Sequence, residues 1–128
     1  MIGYVCLGTN DLARATTFYD KLLGALGATH FMEAEGKYVF WVVGPTQAGL
    51  GVVVPHDGNP ASVGNGVMVA LAVESREKVD QMYALALELG ATDEGPAGPR
   101  GDNFYAGYFR DLDGNKLNFF YMSGREAS

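Results

Sequence analysis

The chain has 128 residues, of which 48% are hydrophobic and 19% are charged, a composition typical of one globular domain and not of a disordered segment. Fifteen acidic against nine basic residues give a net charge of −6, which repels phosphate backbones and excludes nucleic acid as an expected partner. The single cysteine excludes an internal disulfide, and neither a membrane-spanning apolar run nor a basic leader is present, so a cytoplasmic protein is expected.

The first half of the sequence predicts a strand, a helix and three more strands. A strand over residues 4–7 is followed by Asn10 and Asp11, which are typical of a helix start. Apolar residues then recur at steps of three and four from Leu12 to Leu26, which predicts an amphipathic helix that ends at Gly24 or Gly27. The further strands are predicted over residues 29–31, 37–43 and 50–54.

The second half repeats these signals in the same order. A strand over residues 67–73 precedes Ser75 as a helix cap, and a helical stripe ends at Gly90. The Gly- and Pro-rich residues 95–101 are interpreted as an ordinary connection or as a mobile lid, and both interpretations stay open. Strands over residues 105–109 and 117–122 flank a tight hairpin turn at 113–115.

The two halves match at a spacing of about 64 residues, and the sequence Leu-Gly-Ala-Thr follows the helix in both. The chain is therefore predicted to contain two tandem βαβββ modules of the α+β class. Module one covers about 1–55 and module two about 66–123, joined by a linker rich in Gly, Pro, Asn and Ser.

The order of the local motifs resembles the vicinal-oxygen-chelate superfamily, which contains glyoxalases, bleomycin resistance proteins and dioxygenases. The likeness rests on the opening residues 2–12, the Phe18-Tyr19 pair in the first helix and the closing hairpin of residues 111–118, and it spans the chain. The resemblance implies one domain of residues 1–128 with a half-open, cup-shaped sheet of eight mixed strands and helices outside. It also implies a homodimer.

The resemblance further implies four places for the ligands of one divalent metal. They fall on Tyr4, Gly51, Met68 and Asn118. Glycine offers no side chain, methionine is a soft thioether, and neutral asparagine is a weak donor. We therefore expect no metal cofactor; a divalent metal held by non-standard ligands is the alternative.

Strand alternation predicts which residues line the cup and contact a small-molecule ligand. These candidate ligand-binding residues are Tyr4, Cys6, Met68, Ala70, Tyr105, Asn118 and Phe120. Cys6 is expected to be a buried, unreactive thiol. His30 and His56 are expected to have surface or structural roles, while Arg100 and Arg110 either pair with a ligand carboxylate or have a structural role.

Three functions follow from these candidates. The first is metal-free binding of a small hydrophobic or cationic molecule by the aromatic-lined cup, as in antibiotic-sequestering relatives. The second is a lyase, isomerase or dioxygenase-type enzyme acting on a small organic substrate. The third is a structural paralogue whose cup is filled by side chains.

Overall fold

The structure, a computed structural model, describes residues 1–124 as two compact units, divided in the sequence between Gly64 and Asn65. Each unit holds one helix and a four-stranded mixed sheet, which confirms the predicted α+β class and the βαβββ order. Neither helix in this part of the chain is long and apolar enough to span a membrane. The elements are β1 (Tyr4–Gly8), α1 (Leu12–Gly24), β2 (Thr29–Ala34), β3 (Tyr38–Val42), β4 (Gly49–Val53), β5 (Val69–Ala72), α2 (Arg76–Glu88), β6 (Thr92–Pro99), β7 (Phe104–Arg110) and β8 (Lys116–Met122).

Helix α1 begins where the sequence predicts a cap. The Asp11 carboxylate accepts the backbone N–H of Arg14 at 3.0 Å, which satisfies one of the first unpaired amides of the helix. The preceding Asn10 has a different role, because its side chain donates to and accepts from the backbone of Ala61. The buried stripe of α1 consists of Ala15, Phe18, Tyr19, Leu22 and Leu23.

The sheet of unit one has the strand order β1-β4-β3-β2, with β1 and β4 parallel and the other pairs antiparallel. One face packs against α1, where Trp41 lies 5.8 Å from the ring of Tyr19 and is 2% exposed. We call the opposite side the helix-free face of unit one. Because strand residues alternate, β1 presents Tyr4 and Cys6 on this face, and β3 presents Tyr38 and Phe40.

Unit two repeats this architecture. Helix α2 has 13 residues, as α1 does, and begins 64 positions after it. The Ser75 hydroxyl caps α2 by accepting the N–H of Lys78 at 3.1 Å. The strand order β5-β8-β7-β6 is the equivalent of that in unit one, and the rings of Phe109 and Phe119 stack at 5.5 Å in the core beneath α2. The side of this sheet away from α2 is the helix-free face of unit two.

Residues 95–101 depart from the sequence-based prediction. Gly95 to Pro99 belong to β6 and pair with β7, so this stretch is neither a connection nor a lid; only Arg100 and Gly101 lie beyond the strand. The pairing is irregular, with register shifts on both sides of Gly95, whose φ is +151°. Glycine tolerates such a backbone, and these irregularities remove the alternation by which a strand is recognised in a sequence.

The predicted hairpin between β7 and β8 is held by one buried carboxylate. Asp111 accepts the backbone N–H groups of Asp113 and Asn115 at 2.9 Å each, and it also accepts the side-chain amide of Asn115 at 3.1 Å. Gly114 adopts φ +91° within the turn. The turn thereby fixes the register in which β7 and β8 pair.

Candidate functional site

An aromatic cluster covers the helix-free face of unit one. Phe40 lies at its centre, 3% exposed, and contacts Tyr4, Tyr38 and Phe31 edge to face at 5.1, 5.5 and 6.0 Å between ring centroids. We call these four residues the aromatic cluster. Tyr4 and Phe31 are 55% and 47% exposed, so the cluster has a buried centre and accessible edges.

Two glycines of β4 make room for these rings. A Cβ atom at Gly51 would lie 2.2 Å from Cδ2 of Phe40, and one at Gly49 would lie 2.6 Å from Cε1 of Phe31. Both distances are far below van der Waals contact, so any side chain at either position requires the ring above it to move. The rings therefore rest directly on the strand backbone.

A surface pocket of about 530 Å³ lies beside the cluster, within the size range of small-molecule sites. Tyr4 and Phe31 form aromatic walls, while Thr29 and Gln47 supply polar groups at its boundary. None of its lining residues is charged. They are Gly3, Tyr4, Thr29, Phe31, Val42, Val43, Gly44, Pro45, Gln47 and Gly49.

Cys6 lies on the same face as Tyr4, as predicted, but the expectation that it is buried is wrong. The residue is exposed, because it pairs with Gly51 and so has no neighbouring side chain on that strand to cover it. Partial burial of the thiol nonetheless raises its pKa, which keeps the sulfur protonated near neutral pH. The geometry therefore gives no sign of an activated nucleophile.

On the helix-free face of unit two, the structure brings together three predicted residues. Ala70 of β5 pairs with Asn118 of β8, and Phe120 is the next residue of β8 on the same face. Asn118 is 1% exposed, and its Oδ1 has no hydrogen-bond donor among residues 1–124. Met68 is 41% exposed and lies one residue before β5, outside the strand in which the sequence predicted it.

Tyr105 is placed on the other face of this sheet, which corrects its assignment to the same face as Asn118. Its hydroxyl donates to Asp80 of α2 at 2.7 Å, and the guanidinium of Arg76 lies 5.7 Å from its ring centroid. The hydrogen bond to Asp80 is the main cause that raises the pKa of Tyr105. The residue of β7 that pairs with Asn118 is Tyr108.

The strand registers test where the family's metal ligands would fall. Cys6 pairs with Gly51 in unit one as Ala70 pairs with Asn118 in unit two, which confirms that Gly51 and Asn118 are equivalent positions. At position 51, however, the space for a ligand side chain is taken by the ring of Phe40. Within residues 1–124, no three His, Cys, Asp or Glu side chains are grouped so as to hold a metal ion. These residues do not fit a divalent metal of the family's usual kind.

His30 is placed on the α1 side of unit one, away from the aromatic cluster. Its Nε2 lies 2.6 Å from Asp20 and its Nδ1 lies 2.7 Å from Glu33, while Asp20 also accepts the indole N–H of Trp41 at 2.9 Å. The hydrogen bond to Asp20 is the largest cause that raises the pKa of His30, against a smaller lowering by desolvation. This network joins β2 and β3 to α1, in agreement with the structural role predicted for His30.

Phe31, Tyr108 and Lys116 lie on the helix-free faces but are not among the binding residues predicted from the sequence. The signal for Tyr108 was present, because counting outward from the turn at 113–115 pairs Tyr108 with Asn118 and Tyr105 with Tyr121. Phe31 was hidden by the bulge between His30 and Met32, which breaks the alternation of β2.

Comparison with known proteins identifies the family. The family model described as the Glyoxalase/Bleomycin resistance protein/Dioxygenase superfamily matches residues 1–119. A glyoxalase/bleomycin resistance protein from Albidiferax ferrireducens T118 is 36% identical with a TM-score of 0.83, over 94% of this chain and 98% of that one. The hypothetical protein SA1046 from S. aureus is 25% identical with a TM-score of 0.71, over 94% of this chain and 96% of that one.

A lactoylglutathione lyase from Agrobacterium tumefaciens shares the fold, with a TM-score of 0.71 over 94% of this chain and 92% of that one, at 20% identity. No curated protein matches the sequence. The family match over nearly the whole chain, together with the two mixed sheets, shows that this chain belongs to the glyoxalase/bleomycin resistance protein/dioxygenase superfamily.

Proposed function

We propose that the protein binds a small, largely apolar molecule at the aromatic pocket of unit one, without a metal ion. The observation that carries this proposal is the Phe40 ring packed over Gly51. Position 51 is one of the family's places for a metal ligand, and here the Phe40 ring fills the space that a ligand side chain would need. The same ring belongs to the aromatic cluster beside the pocket. The pocket is lined by apolar and aromatic residues with two polar side chains, a composition typical of small-molecule binding sites.

The pocket's chemistry favours a neutral ligand with an aromatic or aliphatic body. Its walls are apolar and uncharged, and Tyr4 and Phe31 present ring edges and faces to a guest. A cationic guest is compatible with these rings through cation–π attraction, although no carboxylate lines the pocket. The net charge of −6 therefore acts on such a guest at long range only.

Catalysis by the same face receives less support. The positions that β1, β3 and β4 present there include three titratable side chains, those of Tyr4, Cys6 and Tyr38. Partial burial raises the pKa of Cys6, which disfavours the thiolate that would act as a nucleophile. Lewis-acid chemistry would need imidazole or carboxylate donors that Gly51 and its neighbours do not provide. Sequestration of a ligand requires none of these groups.

The proposal is tested with N-phenyl-1-naphthylamine, an uncharged fluorescent probe, added to purified protein whose metal content is measured by mass spectrometry. Phe31→Ala is expected to weaken binding about tenfold, because it removes much of one aromatic wall. Val63→Ala is the matched control, since Val63 is exposed to 46%, like Phe31, but does not line the pocket. One equivalent of bound metal, or equal effects of the two substitutions, would contradict the proposal.

A further inference from the structure

Two cations flank one aromatic ring on the helix-free face of unit two. The guanidinium carbon of Arg100 lies 5.5 Å from the ring centroid of Tyr108, and Nζ of Lys116 lies 5.6 Å from the same centroid. Tyr108 pairs directly with Asn118, and Lys116 precedes Asn118 by two residues on the same face. This arrangement brings together hydrogen-bond donors from β7, from β8 and from the residue that follows β6.

Arg100 is held over the sheet by the backbone that precedes it. Its guanidinium donates to the carbonyl oxygens of Pro96 and Pro99 at 2.7 and 3.3 Å. The guanidinium packs against Gly95 and Gly98, since a Cβ at either position would lie 3.4 Å from one of its nitrogens, at ordinary van der Waals contact. These two hydrogen bonds use two of the five N–H donors of the Arg100 guanidinium, so the other three are available to a ligand.

Both cations lack a carboxylate partner in the part of the chain that the structure describes. By contrast, Arg110 on the same strand as Tyr108 pairs with Glu94. Arg100 and Lys116 carry like charges beside the same ring, and like charges repel each other. An anion bound near Tyr108 would relieve this repulsion.

Asn118 supplies the complementary acceptor. Its Oδ1 is buried without a donor among the described residues, a state that is costly unless an N–H or O–H group reaches it. Towards the other end of the face, Phe104 and Phe120 stack at 5.5 Å, so an apolar surface adjoins the polar groups. Ala70 opposite Asn118 is exposed and small, which leaves space on that side.

We propose that this face binds a small 2-hydroxy or 2-amino carboxylic acid with an apolar side chain. Arg100 and Lys116 receive the carboxylate, the hydroxyl or amino group donates to Asn118 Oδ1, and the side chain packs against Phe104 and Phe120. All of these residues belong to unit two, so the inference goes beyond the aromatic pocket of unit one and does not depend on it.

The test compares three ligands by NMR titration at low ionic strength: 3-phenyllactate, 3-phenylpropanoate and 3-phenylpropane-1,2-diol. Phenyllactate is expected to bind most tightly. Loss of the carboxylate in the diol should weaken binding about 10- to 100-fold, and loss of the hydroxyl in phenylpropanoate should weaken it about threefold to tenfold. Equal affinity for phenyllactate and the diol overturns the proposal, and so does the absence of binding at millimolar concentration by folded protein.

Variants assign the roles. Arg100→Gln and Lys116→Gln should each weaken phenyllactate binding about tenfold and leave diol binding unchanged. Arg76→Gln is the matched control, because Arg76 makes the same kind of ring contact with Tyr105 on the opposite face; equal effects of Arg76→Gln and Arg100→Gln refute the assignment. Asn118→Leu should abolish the preference for phenyllactate over phenylpropanoate while leaving Tm unchanged or higher, since it removes an unsatisfied buried acceptor. A preference that survives in this variant overturns the role of Asn118.

Discussion

Replacing Gly51 by alanine tests whether the Phe40 ring rests on the backbone of β4. The new Cβ would lie 2.2 Å from Cδ2 and 2.3 Å from Cε2 of the ring. The ring has little freedom to move, because it is 3% exposed and contacts Tyr4 and Tyr38. Overpacking of this kind costs about 1–3 kcal/mol, and the lower entropy of the unfolded alanine chain offsets about 0.4–1 kcal/mol of that. We expect a net loss of about 1–2 kcal/mol in the free energy of unfolding.

Gly51→Ala in a Phe40→Ala background shows whether the loss of stability comes from the clash with the Phe40 ring or from another effect of the alanine. Without the ring, the methyl group introduced at position 51 fills empty space, so Gly51→Ala should be neutral or stabilising by up to about 1 kcal/mol. Urea unfolding is followed by the fluorescence of Trp41, the single tryptophan, which is 2% exposed in unit one. Gly24→Ala, with no atom within 4 Å of its Cβ, is the control and should not destabilise. An equal penalty in both backgrounds would refute the reasoning.

Three further predictions concern other parts of the molecule. The pKa of His30 in the folded protein is raised above its ordinary 6.5, chiefly by the hydrogen bond to Asp20. Protonated His30 therefore stabilises the fold fully below pH 6.5, and this stabilisation is lost as the pH rises through the raised pKa. An NMR titration of the imidazole that gives a pKa of 6.5 or less would contradict this. Asp111→Ala removes three hydrogen bonds to a carboxylate that is 5% exposed and should lower the free energy of unfolding by about 3 kcal/mol, with a loss under about 1 kcal/mol counting against it in urea titrations. Tyr105→Phe should leave the affinity for 3-phenyllactate unchanged, as measured by the same NMR titration, because the hydroxyl donates to α2 on the opposite face; a weaker affinity would restore Tyr105 to the binding residues.

Local signals predicted the helices and their caps, because each of these depends on residues within one or two turns of each other, and the repeat of these signals after 64 residues predicted the duplication. The cap at Ser75 and the two helices of 13 residues each are examples. The face of Tyr105 follows from its partner in β8 once both strands are counted from the turn, whereas alternation within β7 alone does not give it. Strand β6 was missed because it contains glycine and proline where strands usually carry branched or aromatic residues. The packing of Phe40 over Gly51 arises between strands, so no pattern within either strand reveals it.

The contact between Phe40 and Gly51 also constrains how this protein can diverge. A carboxylate at position 51 is accommodated only if position 40 shrinks, and a smaller residue at position 40 alone leaves a cavity in the cluster. Either first substitution passes through a less stable intermediate. Gain of a metal-binding side chain at position 51 therefore requires changes at both positions.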